Sequence, residues 1–479
     1  MPHAAPRRHF CVALVRRRLQ CATSAHARTA FDPRPRQAMM RVAIVGSGIS
    51  GLAAAWQLRG HARVTVFEAG THFGGHAQTV DATVGGITYP VDTGFLVLNR
   101  RTYPGLLRLF TQLDVPIAES DMSFSVQRAL PGGGRLEWNG ASLNTVFAQR
   151  SNVLRPRFWG MLRDILRFNR EATALAEADE GLGREARSVG EFLRDGRYSD
   201  EFAHSYFLPM AACIWSCPTK QILDFPVSTM VRFCHNHGLL QVGDRPQWLT
   251  VRGGSRQYVQ RIVGQLADAR LQTPVRRIKR FDVGVEVSTE AGTEWFDHVV
   301  LACHSDQALS LLADPSERER SVLAAITYHP NRAVLHTDSR VLPQSRKAWA
   351  AWNYESAPAS AGIETPTVCL HYLINKLQPV PFKQPVIVSL NPLRELDPRC
   401  VLRDISYAHP VFDATAIAAQ KHVGALQGLR RTYYCGAWCG YGFHEDGLQA
   451  GYAAADALLT QIWRHPTRSV REAVPAGAP

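Results

Sequence analysis

Three glycines near the start of the chain have the spacing of a turn that binds phosphate. Residues 42–45 form a short apolar run, and Gly46, Gly48 and Gly51 follow it at once. Gly46 allows a tight turn off a strand, Gly48 leaves room for a pyrophosphate, and Gly51 lets the next helix pack close to the sheet. The pattern predicts a strand, a glycine turn and a helix over Ile49–Leu58.

A helix start and an acidic residue complete this unit. The backbone N–H groups at Ile49 and Ser50 would face the phosphate charge. Glu68 ends a second apolar run, residues 64–67. It lies about 20 residues beyond the glycines, where a carboxylate can accept both hydroxyls of a ribose. The unit therefore predicts dinucleotide binding; a glycine turn without a ligand is the alternative, and the flanking elements disfavour it.

A second glycine cluster follows the acid. Gly74 and Gly75 come six residues after Glu68, and His76 is next. Paired glycines let the backbone approach a second phosphate closely, whereas an ordinary turn would use one.

The C-terminal motif, residues 433–455, reads as a short strand, a glycine-rich loop and a helix. The loop and the first helical turn contain Gly436, Gly440, Gly442, Phe443, His444, Glu445, Asp446, Gly447 and Leu448. Ala450, Gly451 and Ala454 then form a small-residue face, which favours close packing of the helix.

These motifs resemble the flavin amine oxidase and phytoene desaturase superfamily. The resemblance covers the unit from Gly46 to Glu68, the glycine doublet after it, the pair Gly253-Gly254, the apolar run before Ala302 and the C-terminal motif. The chain departs from the family at His76, where an arginine usually stands. A histidine is fully charged only below about pH 6.5, so the charge contact that the arginine makes with phosphate is in doubt.

The resemblance implies non-covalent FAD. It places Asp446, Gly447 and Leu448 at a helix N-terminus directed at the flavin, Asp92 and Gly94 beside the ring system, and the backbone of Val275 on the adenine. The complete predicted set is Gly46, Gly48, Ile49, Ser50, Gly51, Glu68, Gly74, Gly75, His76, Asp92, Gly94, Val275, Gly436, Asp446, Gly447 and Leu448. For Asp92 the alternative is a turn residue that bonds its own backbone.

Three residues of the C-terminal motif are the predicted catalytic groups. Phe443 matches the aromatic residue that walls the substrate side of the flavin in the family, and a plain core phenylalanine is the alternative. His444 and Glu445 have acid/base side chains, but Glu445 could instead cap the helix. Lys376 is a candidate for the lysine that holds a water near the flavin in amine oxidases, or is a surface charge.

Composition limits the remaining classes. The chain has 479 residues and a net charge of +13, and residues 1–40 hold eight arginines against one acid, Asp32. Residues 1–39 are therefore expected to be a transit-like leader or the product of an upstream-extended start. Few lysines among many arginines indicate a GC-rich, bacterial genome. Ten cysteines without CxxC pairs predict reduced thiols, no metal site and a cytoplasmic location.

The expected fold is α/β, with a Rossmann-like FAD-binding domain of the glutathione-reductase type and an inserted α+β substrate domain. Residues 40–104, 245–312 and 421–464 are assigned to the FAD-binding domain. Residues 105–244, largely helical in pattern, and 313–420, rich in strand patterns, are assigned to the substrate domain. Residues 465–479 are expected to be a disordered tail.

The resemblance implies an FAD-dependent oxidoreductase in which the substrate loses hydride to flavin N5. Residues 442–447 are similar to bacterial amine-oxidase-like proteins associated with modification of membrane fatty acyl chains. This implies desaturation or oxidation of an apolar fatty acyl or lipid substrate, peripheral membrane contact, and a location in the cytoplasm at the inner membrane surface. Oxygen or another molecule would accept the electrons, and no nucleic acid is expected. The alternatives are a flavin amine oxidase for a small or polyamine substrate and a non-enzymatic dinucleotide-binding regulator.

Overall fold

A computed structural model describes residues 39–130, 133–178, 187–241, 243, 245–356 and 368–464. The predicted tail and all of the predicted leader except Met39 lie outside these residues. The described residues belong to one compact unit.

The strands of the described part are numbered in chain order. They are β1 (Arg41–Val45), β2 (Arg63–Phe67), β3 (Thr79–Val84), β4 (Ile87–Asp92), β5 (Leu98–Asn99), β6 (Ile117–Ser120), β7 (Phe124–Ala129), β8 (Arg135–Asn139), β9 (Trp248–Val251), β10 (Asp268–Arg270), β11 (Arg277–Arg280), β12 (Val285–Thr289), β13 (Gly292–Phe296), β14 (His298–Leu301), β15 (Tyr328–His336), β16 (Trp352–Glu355), β17 (Cys369–Leu373), β18 (Ile387–Leu390), β19 (Val401–Pro410) and β20 (Thr432–Tyr434).

The α-helices of the same residues are numbered in the same way. They are α1 (Ile49–Leu58), α2 (Pro104–Gln112), α3 (Leu143–Val146), α4 (Pro156–Glu177), α5 (Val189–Asp195), α6 (Asp200–Phe202), α7 (Leu208–Trp215), α8 (Thr219–Leu223), α9 (Val227–Asn236), α10 (Arg256–Val263), α11 (Ser305–Leu311), α12 (Glu317–Leu323), α13 (Ile374–Leu377), α14 (Ala414–Gln420) and α15 (His444–Arg464). Helices α3 to α9 follow one another between β8 and β9. A π-helical turn, Ala203–Phe207, joins α6 to α7.

A five-stranded parallel sheet carries the N- and C-terminal motifs, in the order β10-β2-β1-β14-β20. In β1, Val42, Ala43 and Ile44 are fully buried. A short apolar run buried on both faces is typical of a central parallel strand. The predicted strand, glycine turn, helix and second strand are confirmed, and α1 has the predicted bounds.

Helices α1 and α15 cover one face of this sheet, where Ile44, Val66, Ala55 and Leu458 belong to one buried cluster. The opposite face packs against the three-stranded antiparallel sheet β11-β12-β13, through a cluster that includes Val299. The predicted α/β class, with a Rossmann-like nucleotide-binding sheet, is confirmed.

A seven-stranded sheet forms the second part, in the order β19-β15-β18-β17-β16-β7-β8. Its pairs are antiparallel except for the parallel pair of β16 with β7. Helices from residues 143–236 pack against this sheet in the largest apolar cluster that the described residues show. The sheet explains the strand-rich pattern of residues 313–420.

Strands β6, β7 and β8 differ from the expectation, because residues 105–244 have a largely helical pattern. These strands are only four to six residues long, and β7 pairs with β16, more than 200 residues away in the chain. Such strands depend on distant partners more than on local preference.

The predicted domain boundaries remain a prediction. Every strand of the five-stranded sheet lies in the three segments assigned to FAD binding, and every strand of the seven-stranded sheet lies in the two inserted segments. A third small sheet, β5-β9-β6, crosses the proposed boundary. Within the described ranges, no helix has both the length and the apolar content needed to span a membrane.

Candidate active site

A cavity of about 990 Å³ opens at the carboxyl ends of the parallel strands. Residues just after four of these strands line it: Gly46 after β1, Glu68 after β2, Cys303 after β14 and Gly436 after β20. Ligands of open α/β sheets bind outside the carboxyl ends of the strands. We therefore take this cavity as the candidate active site.

The glycines of the first turn differ in what surrounds them. Gly46 has φ of +101°, and a side chain there would lie 2.8 Å from the carbonyl oxygen of Ala302. A side chain at Gly51 would overlap the carbonyl oxygen of Gly46, whereas one at Gly48 would meet nothing within 4 Å. Gly46 and Gly48 line the cavity and Gly51 does not. Gly51 therefore serves packing, and Gly48 leaves open space.

Glu68 is held in place at the first residues of α1. Its carboxylate accepts hydrogen bonds from the backbone N–H groups of Ser47, at 2.9 Å, and Gly70, at 2.8 Å. Ile49 and Ser50 line the cavity beside it. The positive end of the α1 dipole therefore faces the cavity. Sequence reasoning missed Ser47, whose only signal was a small polar side chain between two glycines.

Val275 lines the same cavity, between Pro274 and Arg276. The backbone N–H of Thr273 donates to the carbonyl oxygen of Glu68 at 2.8 Å, which holds this segment next to Glu68. The predicted adenine-side and ribose-side residues are thus brought together.

The second glycine cluster lies directly against the first. The N–H of Gly74 donates to the carbonyl oxygen of Ser47 at 3.1 Å, and a side chain at Gly75 would lie 3.2 Å from the Cα atom of Gly48. Gly74 and Gly75 both have positive φ angles and line the cavity. Only residues without a side chain allow the two loops to approach this closely.

His76 is half-buried and lines the cavity. Its ring stacks on Tyr407 with centroids 4.8 Å apart and lies 5.1 Å from His409. Burial, and secondly the nearby His304, lowers the pKa of His76 to about 4. Without a bound anion the imidazole is therefore neutral near pH 7, unlike the arginine that usually stands at this position. Its Nε2 atom is buried without a hydrogen-bond partner.

These residues fit a dinucleotide. Gly48 leaves space where a phosphate could approach the backbone, and the carboxylate of Glu68 is fixed at the cavity wall. The Nε2 atom of His76 has no hydrogen-bond partner within the described residues. Buried polar atoms in native proteins are nearly always bonded, so the unpaired Nε2 atom is free to bond a ligand or a water in the cavity.

Asp92 differs from the prediction. Its buried carboxylate accepts hydrogen bonds from Thr79, Ser255 and Gln378, and it is absent from the cavity lining. Burial raises the pKa of Asp92 to about 6, although these hydrogen bonds act to lower it. Asp92 therefore joins three distant segments, whereas Gly94 and Phe95 of the same loop line the cavity.

Asp446, Gly447 and Leu448 also lie outside the cavity lining. The Asp446 carboxylate accepts a bond from the N–H of Phe443 at 3.0 Å, and burial raises its pKa to about 6. Gly447 lies against the first residues of α1, and Leu448 is fully buried. In the structure these three residues pack and cap the start of α15, and their predicted cofactor contacts remain a prediction; Gly436 lines the cavity.

Glu445 is engaged by another helix. Its two carboxylate oxygens accept hydrogen bonds from the backbone N–H groups of Gly105 and Leu106, each at 2.9 Å. These are orphan donors at the N-terminus of α2. Of the two alternatives for Glu445 these contacts favour the capping role, at α2 rather than at its own helix.

His444 lines the cavity. Its ring stacks on Phe95 with centroids 3.8 Å apart, and its Nε2 atom shares a hydrogen bond of 2.8 Å with the hydroxyl of Tyr258. Burial lowers the pKa of His444 to about 3. It is therefore a neutral, rigidly positioned hydrogen-bonding group near pH 7.

Phe443 begins an aromatic wall that continues into the helices. Its ring lies 4.9 Å from that of Phe233, which in turn lies 4.6 Å from Trp215 and 3.9 Å from His237. All four residues line the cavity. The wall connects the C-terminal motif to helices α7 and α9.

Beyond this wall the cavity is apolar. The lining residues from the inserted segments include Met122, Phe124, Trp138, Leu143, Val146, Leu162, Ile165, Leu166, Tyr206, Met210, Cys213, Ile214, Trp215, Phe233, Leu239, Trp352 and Tyr372. Residues 213–216, at the end of α7, line this part of the cavity.

Lys376 is a surface charge. Its Nζ atom pairs with a carboxylate oxygen of Asp121 at 3.0 Å, the side chain is 39% exposed, and the residue does not line the cavity. Of the two alternatives for this lysine, the structure favours the surface role.

A third group of cavity residues, which includes Cys303, His304, Tyr328 and His409, belongs to no motif that the sequence analysis identified. Only His409 had a signal in the sequence: it lies two residues after Tyr407, and residues two apart in a strand face the same side.

A cluster of potential metal ligands lies away from the cavity, on the seven-stranded sheet. Glu355, Cys369 and His371 bring their ligand atoms within 4.8 Å of one another. Glu355 already pairs with the guanidinium of Arg394 and accepts a bond from His371 at 3.1 Å. A bound cation would be repelled by Arg394, so we interpret the cluster as a buried hydrogen-bond network.

Comparison with known proteins identifies a family. The sequence model described as "Flavin containing amine oxidoreductase" matches residues 49–459. A protein of Mycobacterium tuberculosis described as "Putative flavin-containing monoamine oxidase" is 29% identical over 287 residues, which are 57% of this chain and 59% of the relative. The chain thus spans about three-fifths of that relative's length.

Solved structures show the same fold. Cyclohexylamine oxidase from Brevibacterium oxydans has a TM-score of 0.62 at 16% identity, over 89% of this chain and all of that chain. A CLA-producing fatty acid isomerase from P. acnes has a TM-score of 0.59 at 15% identity, over 88% and 99% of the two chains. The family match over residues 49–459 confirms the resemblance: this chain belongs to the flavin-containing amine oxidoreductase family, and its cofactor is FAD.

Proposed function

We propose that this protein is an FAD-dependent oxidoreductase that acts on the acyl chain of a fatty acid or lipid, as a desaturase or oxidase. FAD, when bound, supplies a two-electron acceptor for oxidation of a substrate C–H bond. Gly46, Gly48, Glu68, Gly74, Gly75, His76 and Val275 would hold it. The observation that supports the substrate class is the apolar half of the cavity beyond Phe443.

The charges of the cavity lining disfavour a cationic substrate. Among the described residues that line it, Glu68 is the one carboxylate, and Arg245 and Arg276 are the two cations with permanent charge. Glu68 is bonded to Ser47 and Gly70 at the glycine turn. No carboxylate of the described lining is thus available to bind an ammonium group, whereas an acyl chain would contact the aliphatic and aromatic side chains of α4 and α7.

The side chains near the aromatic wall position the substrate and exclude water. His444 is neutral near pH 7 and fixed by Tyr258 and Phe95, so it can orient a polar group but is a weak base. Phe443, Phe233 and Trp215 present apolar surface beside it. An apolar enclosure of this kind holds the reacting bond in place and keeps water away.

Amine oxidation is the second candidate. The rings of Phe443, Phe233 and Trp215 could form an aromatic wall for an amine, and the Mycobacterium relative is described as a monoamine oxidase. Against this, Lys376 lies at the surface and pairs with Asp121. The fold is also that of a fatty acid isomerase, so it is compatible with either substrate class.

We infer a cytoplasmic location at the inner membrane surface, with oxygen or another small molecule as the electron acceptor. The eight cysteines of the described residues are all free thiols, which supports a reducing compartment.

Anaerobic reduction of the flavin tests the substrate class. The purified holoprotein would be mixed without oxygen with fatty acids, with phospholipids in detergent, or with a panel of mono- and polyamines. We expect loss of the yellow flavin absorbance with the acyl compounds. Bleaching by amines alone would replace the proposal with amine oxidation.

A matched pair of variants locates the substrate. Ile214→Asp puts a charge on the apolar lining, and Leu402→Asp puts the same charge on the exposed strand β19. The first should weaken acyl-dependent bleaching at least about tenfold while FAD stays bound, since burying a charge in an apolar site costs several kcal/mol. The second should leave the bleaching unchanged.

A further inference from the structure

We propose that the surface around the cavity mouth, which we call the mouth patch, docks on an anionic lipid bilayer. The mouth patch consists of the exposed apolar residues Leu143, Val153, Leu154, Trp159 and Leu166 with the arginines 150, 157, 163 and 170. That an acyl chain enters there rests on the proposed function; the docking itself rests on the patch alone.

The mouth patch concentrates apolar surface. Leu143 is 79% exposed, Leu154 85% and Leu166 60%. Five of the twelve large hydrophobic side chains that are exposed in the described residues fall between positions 143 and 166. Single exposed hydrophobics are ordinary, but a contiguous group indicates an interaction surface.

Contacts show that the group is contiguous. The ring of Trp159, in the first turn of α4, lies 5.3 Å from that of Phe147, which follows α3. Its indole N–H donates to the carbonyl oxygen of Val153, in the 3₁₀ turn Arg150–Leu154, at 2.9 Å. Three successive elements therefore present their apolar residues together.

Helix α4 combines apolar and basic residues on its exposed face. Trp159, Arg163, Leu166 and Arg170 are all exposed and are spaced four, three and four residues apart, which places them on one side of the helix. Alternation of large apolar and basic side chains on one face is typical of helices that lie in a membrane interface.

The charge of the mouth patch selects the lipid. Residues 141–170 contain six arginines and one acid, Asp164. Asp164 is buried and accepts a bond from the N–H of Ser199 at 3.0 Å, so the exposed surface carries positive charge. Anionic headgroups complement it, and a zwitterionic surface does not.

The mouth patch and the cavity share residues. Leu143 and Leu166 are among its most exposed members, and both also line the cavity, as do the neighbours Val146 and Leu162. An acyl chain could pass from a bilayer to the aromatic wall along side chains without entering water. The bilayer surface is therefore the expected binding partner of the mouth patch, and a protein partner is the alternative.

Vesicle binding tests the proposal. The holoprotein would be sedimented with vesicles of phosphatidylcholine alone or of phosphatidylcholine and phosphatidylglycerol in equal parts. We expect binding to the anionic vesicles that weakens several-fold between about 0.1 M and 1 M salt, because the Debye length falls from about 10 Å to about 3 Å. Equal binding to both vesicles, or none, overturns the proposal.

Matched variants locate the contact without touching the cavity. Arg157→Glu and Arg163→Glu should each weaken binding at least about fivefold, since one basic residue near an anionic surface contributes about that factor. Leu154→Glu should also weaken it. Leu402→Glu and Arg403→Glu, on β19 at the sheet edge opposite to β8, should bind as the wild type does. An equal loss of vesicle binding in the mouth-patch variants and the β19 variants, or no loss in either group, would contradict docking through the mouth patch.

Quenching by lipids brominated in their acyl chains gives an independent readout. Trp159 fluorescence should be quenched on anionic vesicles, and Trp159→Phe should remove that part of the quenching.

Failure of the docking and failure of the proposed function are distinguishable. If the vesicles do not bind but detergent-dispersed lipid still bleaches the flavin, only the docking is overturned; the reverse result overturns only the acyl substrate.

Discussion

At the scale of single residues, glycines of one motif serve different physical purposes. Gly51 has no side chain because the carbonyl oxygen of Gly46 occupies that space, whereas Gly48 faces open cavity. Substitutions at the two positions should therefore separate folding from cofactor binding.

We expect Gly48→Val to keep the stability of the apoprotein and to lose most of its FAD. Gly51→Ala should lower the free energy of unfolding by about 1–3 kcal/mol, as overpacking of a core does. Thermal unfolding of the apoprotein and the ratio of flavin to protein absorbance after purification measure the two effects. If Gly48→Val unfolds as readily as Gly51→Ala, the space at Gly48 has a structural purpose.

Neighbouring residues at the start of α15 also differ in their roles. Glu445 caps α2, and His444 faces the cavity. Glu445→Gln should lower the free energy of unfolding by about 1–2 kcal/mol, because a carboxylate at a helix N-terminus is worth about this much. Its rate of flavin reduction should be unchanged at a temperature where the protein is folded. A large loss of rate without loss of stability would restore the acid/base role.

Residue types predicted the two glycine loops and Glu68 well, since glycine and acid at fixed offsets have few other uses. Asp92 shows the limit. Its sequence context is that of a ligand loop, but its partners Ser255 and Gln378 lie 163 and 286 residues away in the chain. No local pattern contains that information.

At the scale of elements, the contact of α1 with α15 joins the two ends of the nucleotide-binding motif. A side chain at Gly451 would overlap the carbonyl oxygen of Ser50 and lie 2.9 Å from Cβ of Ala53. The predicted small-residue face of α15 is thus the reason that the two helices come so close. The closeness keeps the start of each helix near the cavity.

Gly451→Ala should force α1 and α15 apart and lower the free energy of unfolding by about 1–3 kcal/mol. Gly160→Ala in α4 is the matched control, because a side chain there meets nothing within 4 Å. The control should be neutral or stabilise by up to about 1 kcal/mol, through the higher helix propensity of alanine. Chemical denaturation of both variants compares them. Equal behaviour would mean that α15 does not depend on close packing.

Elements with strong local periodicity were predictable, and those that depend on distant partners were not. Helix α1 has the expected bounds, and strands β1 and β2 each begin one residue before the predicted apolar run. Strand β7 exists because β16 and β8 flank it in the sheet. The apolar cavity wall is assembled in the same way from several separate segments, so the substrate side carries no motif.

At the scale of the whole molecule, buried histidines couple stability to pH. Burial lowers the pKa of His76, His237, His298 and His336 to about 4, and that of His409 and His444 to about 3. In the unfolded chain these side chains take up protons below about pH 6.5. The stability that the neutral rings contribute is therefore lost as the pH falls from about 6.5 towards 4.

Asp92 and Asp446 act in the opposite direction. Their pKa values are raised to about 6, so their contribution is present below about pH 4 and is lost as the pH rises through 6. Six histidines outweigh two aspartates. We expect the unfolding temperature to fall by at least roughly 5 °C between about pH 7 and pH 5.

His298→Gln provides the check on this cause, since His298 lies on β14 outside the cavity lining. Calorimetry at both pH values should show a smaller decrease for the variant than for the wild type. An unfolding temperature that stays level or rises towards pH 5 would show that other groups dominate.

The central claim is that one continuous cavity takes FAD at its glycine-lined end and an acyl chain at its apolar end. The direct measurement is a crystal structure of the holoprotein with a fatty acid brominated along its chain, in which anomalous scattering locates the bromine. We expect the bromine between Phe443 and Leu166, among the side chains of α4 and α7. Bromine found elsewhere, or a cavity that takes up an amine and refuses the acyl chain, would contradict the account.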